Sequence, residues 1–149
     1  MALCTAACVT LTEVDGKGVA EVVCAGHPPP LRVHGDEIEA VGHAGPMLGA
    51  WEEKAWAPVA VSLDAGDVLV LYTDGVVDTL GESERFGEER LRAALADVGD
   101  AAEAVARIGG DLSRFEVGEQ SDDTAVLAVN RVPVSEPVGG APDAGTGSL

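Results

Sequence analysis

Aromatic residues make up only 3% of this 149-residue chain, and Lys+Arg number 9 against 26 Asp+Glu, a formal net charge of −17. With so few rings, the core must be built from Val, Leu and Ala. A surface this short of cations repels phosphate backbones and anionic lipid headgroups, which excludes nucleic acid and membrane surfaces as natural partners. Cysteine is scarce and odd in number: Cys4, Cys8 and Cys24 form no CxxC pair, so neither a disulfide framework nor a zinc site is indicated. Their apolar surroundings predict buried, reduced thiols, as in a cytoplasmic protein. Residues 2–11 are apolar but lack a basic flank and fall far short of the roughly 20 residues that span a bilayer. P-loop, GxGxxG and serine-elbow motifs are absent as well.

Apolar residues nevertheless reach 46%, enough for a packed domain. Residues 8–13 and 19–24 have strand character around Asp15-Gly16, which predicts a hairpin. Residues 31–34 and 37–41 predict a second hairpin around Gly35-Asp36. Three prolines (Pro28, Pro29, Pro30) force an extended entry into it. The stretch 45–56 reads as irregular. Residues 57–63 and 68–72 then read as strands joined by a turn at 65–67, and 68–72, apolar on both faces, belongs in the middle of a sheet. Two amphipathic helices follow. The first carries Leu91, Ala94, Leu95 and Val98 on one face, with Glu88 and Glu89 in its first turn. The second carries Val105, Ile108, Leu112 and Phe115, and Gly109-Gly110 is expected to weaken or divide it. Residues 124–129 predict a closing strand. From 132 to 149 the chain is rich in Pro, Gly and Ser without periodicity, as expected of a disordered tail after a single unit over 1–131. Strands, helices and a last strand give an α+β chain: a sheet, or halves of two packed sheets, with helices on one face.

Acidic residues sit at the ends of two of these strands: Asp74 leaves 68–72, and Asp122 and Asp123 precede the last. If the two strands are antiparallel neighbours, the carboxylates meet at one edge, and oxygen-only donors there suit Mg²⁺ or Mn²⁺. Gly75 would let the backbone turn sharply and a cation or its water come close. Two plainer readings stay open: Asp74 as a helix N-cap, and Asp122-Asp123 as a solvated turn. His27, His34 and His43 are scattered, with exposed or structural roles expected.

Five segments in order, "AGHPPPLRV" (25–33), "GPMLG" (45–49), "LDAGDVLVLYTDGVVDT" (63–79), "FGEERL" (86–91) and "SDDTAVLAV" (121–129), together resemble the C-terminal part of the metal-dependent PPM serine/threonine phosphatases. The nearest branch is the bacterial one of the stage II sporulation phosphatase and the regulators of stress sigma factors. The resemblance implies a β-sandwich flanked by helices and a binuclear Mg²⁺/Mn²⁺ centre. It also implies attack by water on a phosphoserine or phosphothreonine, in a substrate such as an anti-sigma-factor antagonist. On matching positions it makes Asp74 and Asp122 metal ligands. Asp123 lies where the family varies, and Ala125 stands where members often have a hydroxyl residue.

The same resemblance places the family's other acidic motifs in an N-terminal half, and nothing before Cys8 supplies them. The expectation is a partial phosphatase domain, weakly active or inactive alone and prone to self-association through exposed strand edges. A non-catalytic module that binds a phosphoprotein or sigma-factor regulator is the alternative. An unrelated acidic β-rich binding domain is a third reading.

Overall fold

The computed structural model describes residues 2–51, 54–118 and 123–132. β1 (Ala6–Val14) and β2 (Lys17–Ala25) form the first hairpin, paired from Ala6↔Ala25 to Val14↔Lys17. The two-residue loop works because both Asp15 and Gly16 take positive φ, which matches the right-handed twist of the strands. β3 (Leu31–His34) and β4 (Glu37–Ala40) form the second hairpin. β6 (Val59–Leu63) returns alongside β2, and a tight turn closed by Asp67 N–H donating to Asp64 O (3.0 Å) leads into β7 (Val68–Tyr72). α1 (Asp74–Asp78), α2 (Gly87–Ala94) and α3 (Ala101–Phe115) follow, then β8 (Val126–Asn130).

The strands form two four-stranded sheets. In one, β2 lies between β1 and β6 and also pairs with the two-residue β5 (Ala44–Gly45); the other runs β4-β3-β7-β8. All pairings are antiparallel except β2 with β5. The two faces of β7 enter different interiors, as its two-sided apolar pattern predicts. Val68, Val70 and Tyr72 pack with Leu31 and Val33 beneath Phe86, Leu91, Leu95, Ile108 and Leu112. Leu69, and Leu71 beside it, face Ala20, Val22, Cys24 and Leu63 of the other sheet.

The register also fixes the ends. β2 finishes at Ala25, residues 26–30 cross to β3, and Leu31 pairs with Val70. The C-terminal end of β7 therefore shares an end of the sandwich with Ala25 and the β5 loop. The Asp64–Asp67 turn lies at the opposite end.

Four expectations need correction. Cys24 is buried, but Cys4 and Cys8 are exposed: Cys8 lies on β1, an edge strand with little packed over it, and Cys4 precedes that strand. In α3 the buried stripe is Ala104, Ile108 and Leu112, while Val105 is exposed. Helical phase, not side-chain size, decides which residue faces the sheet. Gly109-Gly110 do not divide α3, and a Cβ at Gly109 would meet open space, so these glycines lie away from the core. The stretch read as irregular begins with Gly45, the last residue of β5, and holds a bridge from Leu48 to Cys4. The tail assigned to 132–149 lies, beyond Val132, outside the described residues.

Candidate metal centre

β7 ends at Tyr72 opposite Val126, so the strand that leads to Asp74 and the one that follows Asp122 are antiparallel neighbours. Thr73 fastens them together. Its N–H donates to Ala125 O (3.0 Å), its hydroxyl donates to Asp123 O (3.0 Å), and the same oxygen accepts from Ala125 N–H (2.9 Å). A hydroxyl engaged this way is not available to the helix, and Thr73, the N-cap of α1, makes no side-chain capping bond. Asp74 is therefore the first residue of α1 and not its cap.

Gly75 does not take a positive φ, so the sharp turn expected of it is not its role. A Cβ there would lie 2.5 Å from Asp123 O, too close for any side chain. The glycine lets the backbone at 123 pass directly over the start of α1. Thr79 secures the other end of this short helix, its hydroxyl donating to Gly75 O (2.8 Å).

Among the described residues the exposed Asp74 carboxylate has no hydrogen bond and no ion pair. All seven arginines, by contrast, are paired with carboxylates. An uncommitted carboxylate beside a run of backbone and hydroxyl oxygens is a donor set for a hard cation, and it fits Mg²⁺ or Mn²⁺ better than a soft metal. Asp122 lies outside the described residues; Asp123 is placed by its carbonyl against Gly75. Tyr72, just before the site, is turned into the helix-side core. Burial pushes its hydroxyl pKa up, Glu88 adds to that and Arg92 opposes it, so it stays protonated at neutral pH and is no general base.

A second polar group went unanticipated. At the opposite end of the sandwich the buried Asp67 accepts at Oδ1 from His34 Nδ1 (2.6 Å) and at Oδ2 from Asp64 N–H (2.9 Å). Ligand atoms of His34, Asp64 and Asp67 lie within 4.8 Å of one another, a set that suits a cation. Both Asp67 oxygens are already engaged, and the group acts as a hydrogen-bonded corner tying β3 to the β6–β7 turn. Its signal in the sequence was an aspartate placed immediately before an all-apolar strand.

Two packed sheets, helices over one outer face and an acidic strand end stitched to the closing strand make the architecture of the PP2C-type phosphatase domains. The phosphatase domain of the cell-fate determinant SpoIIE from Bacillus subtilis superimposes with a TM-score of 0.68 at 18% identity, over 89% of this chain and 60% of that one. The RsbU and RsbW domains of Rv1364c from Mycobacterium tuberculosis give 0.56 at 24% identity, over 80% and 34%. A protein described as GTPase Der from Mesorhizobium japonicum is 30% identical over 135 residues, 91% of this chain and 26% of the relative; the sequence carries no P-loop to go with that name. The stage II sporulation protein E (SpoIIE) family model matches residues 2–132, and the chain belongs to that family, whose phosphatases depend on metal ions. It spans less than two thirds of the length of each relative.

Proposed function

We propose that the chain is a metal-dependent phosphoprotein serine/threonine phosphatase module of bacterial signalling, with Asp74 and Asp122 as ligands of Mg²⁺ or Mn²⁺. The observation that supports this reading is the Thr73 fastening, which holds residues 123–125, immediately after Asp122 in the sequence, against the start of α1 where Asp74 lies. A divalent cation bound there would neutralise phosphate charge and make a water more acidic and nucleophilic. The chain's own part is to hold Asp74 at a fixed height on α1, with Gly75 keeping the 123–125 backbone close. The likeness to a domain named RsbU supports a phosphorylated regulator, such as an anti-sigma-factor antagonist, as substrate. No helix among the described residues is long and apolar enough to cross a membrane, in keeping with a cytoplasmic site of action.

Two aspartates leave most of a cation's coordination to water, so the chain alone is expected to bind weakly and turn over slowly. The second reading, a non-catalytic module that binds a phosphoprotein, is favoured by Asp74 being the one proposed ligand among the described residues. Calorimetric titration with Mn²⁺ and release of phosphate from a phosphoserine protein test both. Asp74→Asn should weaken Mn²⁺ binding about tenfold or more, the loss of one charged ligand. Binding unchanged in Asp74→Asn would remove Asp74 from the site. Mn²⁺ bound without turnover, together with capture of the phosphoprotein, would select the binding module.

A further inference from the structure

At the end of the sandwich opposite Asp74, strand register brings a nitrogen base and two carboxylates together. Val33 pairs with Val68 in antiparallel register, so His34 and Asp67, one residue outward on each segment, stand opposite each other. Asp64 is carried to the same point by its turn. Asp67 N–H donates to Asp64 O (3.0 Å) and Asp64 N–H donates to Asp67 Oδ2 (2.9 Å). The meeting is set mainly by backbone pairing, so the three donors are held in place before any ligand arrives.

The electrostatics of this corner are lopsided. Asp67 is only 3% exposed, and its one side-chain partner is the imidazole of His34, at 2.6 Å. The exposed Asp64 carboxylate makes no hydrogen bond and no ion pair among the described residues. The two nearby arginines serve neither acid. Arg131 donates its backbone N–H to Asp67 O (3.3 Å) but turns its guanidinium to Gly16 O (2.6 Å), Leu63 O and Glu13. Arg32, on β3, reaches Ser62 O and Glu39. A carboxylate taken out of water calls for a cation, and the permanent cations of this neighbourhood are committed elsewhere.

We infer that His34 Nδ1 and the carboxylates of Asp64 and Asp67 bind a Zn²⁺ ion that clips β3 to the β6–β7 turn, a site separate from the Asp74 centre. Ligand atoms of the three residues already lie within 4.8 Å of one another. With Zn–N and Zn–O bonds of about 2.0–2.2 Å, tetrahedral donors stand ~3.4 Å apart, so the exposed imidazole of His34 needs to withdraw only about 1 Å from Asp67. Zn²⁺ then takes the place of the proton between them, which is released to solvent. The bonds Asp67 already makes are no obstacle: each carboxylate oxygen has two lone pairs, and Oδ2 keeps its bond from Asp64 N–H. Water completes the fourth position. The imidazole nitrogen selects the metal, since it suits Zn²⁺ whereas Mg²⁺ and Ca²⁺ take oxygen. The site does not depend on the phosphatase reading, and because it exists only in the folded chain, Zn²⁺ stabilises the fold.

The test is calorimetric titration of the full chain with Zn²⁺ under reducing conditions, together with thermal melts in Zn²⁺ and in Mg²⁺. All proteins carry Asp74→Asn, which silences the other end of the sandwich. This parent should bind one Zn²⁺ and melt higher in Zn²⁺ than in the same concentration of Mg²⁺. Asp64→Ala removes an exposed donor and leaves the backbone bonds of the turn intact, so without metal it should melt like the parent. It should bind Zn²⁺ about tenfold or more weakly and lose the Zn²⁺-dependent rise. His34→Gln, which also unties Asp67, should lose the same binding. Cys4→Ser with Cys8→Ser, which removes the exposed thiols as rival zinc ligands, should bind like the parent. Zn²⁺ binding unchanged in Asp64→Ala and His34→Gln, or lost with the two cysteines, would overturn the site. So would a parent that binds no Zn²⁺. An equal rise in Mg²⁺, removed by Asp64→Ala, would overturn the assignment to zinc.

Discussion

On its helix side β7 is well covered: Val68 and Val70 have no exposed surface, nor do Leu91, Leu95 or Ile108 above them, and Phe86 has almost none. On its inter-sheet side, burial decays across the sheet. Leu69 is fully buried, Leu71 only partly, and Leu127, opposite Leu71 on β8, is 60% exposed. The facing sheet repeats the gradient, from Val22 on β2 to Leu11 on β1, 53% exposed. A helical layer can close over a sheet with residues that follow it directly in sequence. A sandwich closes only as far as its two sheets extend together, and here β1 and β8 leave a cleft of about 500 Å³ lined by Leu11, Val19, Leu63 and Val129, with Glu13 and Arg131 among its polar residues.

The sharpest way to probe this difference is to delete one large side chain from the closed interior. Phe86 meets Phe115 edge to face at 5.4 Å, and Arg90 stacks over Phe115. Phe86→Ala should cost about 3–5 kcal/mol in urea unfolding, enough to populate unfolded protein in buffer. A loss below about 1 kcal/mol would show that the helix layer is loosely packed and would remove the contrast.

At the open margin the expectation reverses. Leu127→Ser and Leu11→Ser should change stability by no more than about 0.5 kcal/mol, since little apolar surface is buried there. The same variants should reduce self-association in size-exclusion chromatography at high protein concentration, because the wild-type edges offer unpaired, apolar strands. A cost close to that of Phe86→Ala would mean that something covers these edges in solution.

The smallest effect concerns Glu103, at the start of α3. Its carboxylate accepts from Gly99 N–H and pairs with Arg107, and these two bonds, in that order, lower its pKa below the ordinary value of 4.5. A lowered folded-state pKa means a contribution present above the unfolded value and lost as pH falls through the folded one. Glu103→Gln should therefore lower the melting temperature slightly at pH 7, with the difference vanishing in acid below the carboxylate range. A difference independent of pH would assign the effect to packing.

Elements governed by local chemistry were legible in the sequence. The bounds of β7, the Asp15-Gly16 and Gly35-Asp36 hairpins and the acidic first turn of α2 all follow from neighbouring residues. The adjacency of β7 and β8 followed from the acids at their ends together with strand order. Features made by distant backbone were not legible. β5 is two residues long and has no alternation, and the Cys4–Leu48 bridge joins segments whose side chains carry no pairing signal. Gly75 was singled out for a sharp turn it does not make, and only the folded chain shows Asp123 O above it. Asp67 read as a turn residue because turn chemistry is local, whereas its burial against His34 comes from a separate hairpin.

The pairing of β7 with β8 also sets an order of events as the chain is made. β3 can dock on β7 once β7 appears, but Ala125, which accepts Thr73 N–H, lies 52 residues further on. At about 5–20 residues per second, roughly 3–10 s pass with one edge of the most apolar strand unpaired. Within that interval α2 and α3 emerge and cover one face of β7, but the other edge waits for the last strand. Slow translation between Thr73 and Ala125 would lengthen the exposure, so the rate of synthesis over this stretch governs how much of the nascent chain is lost to aggregation.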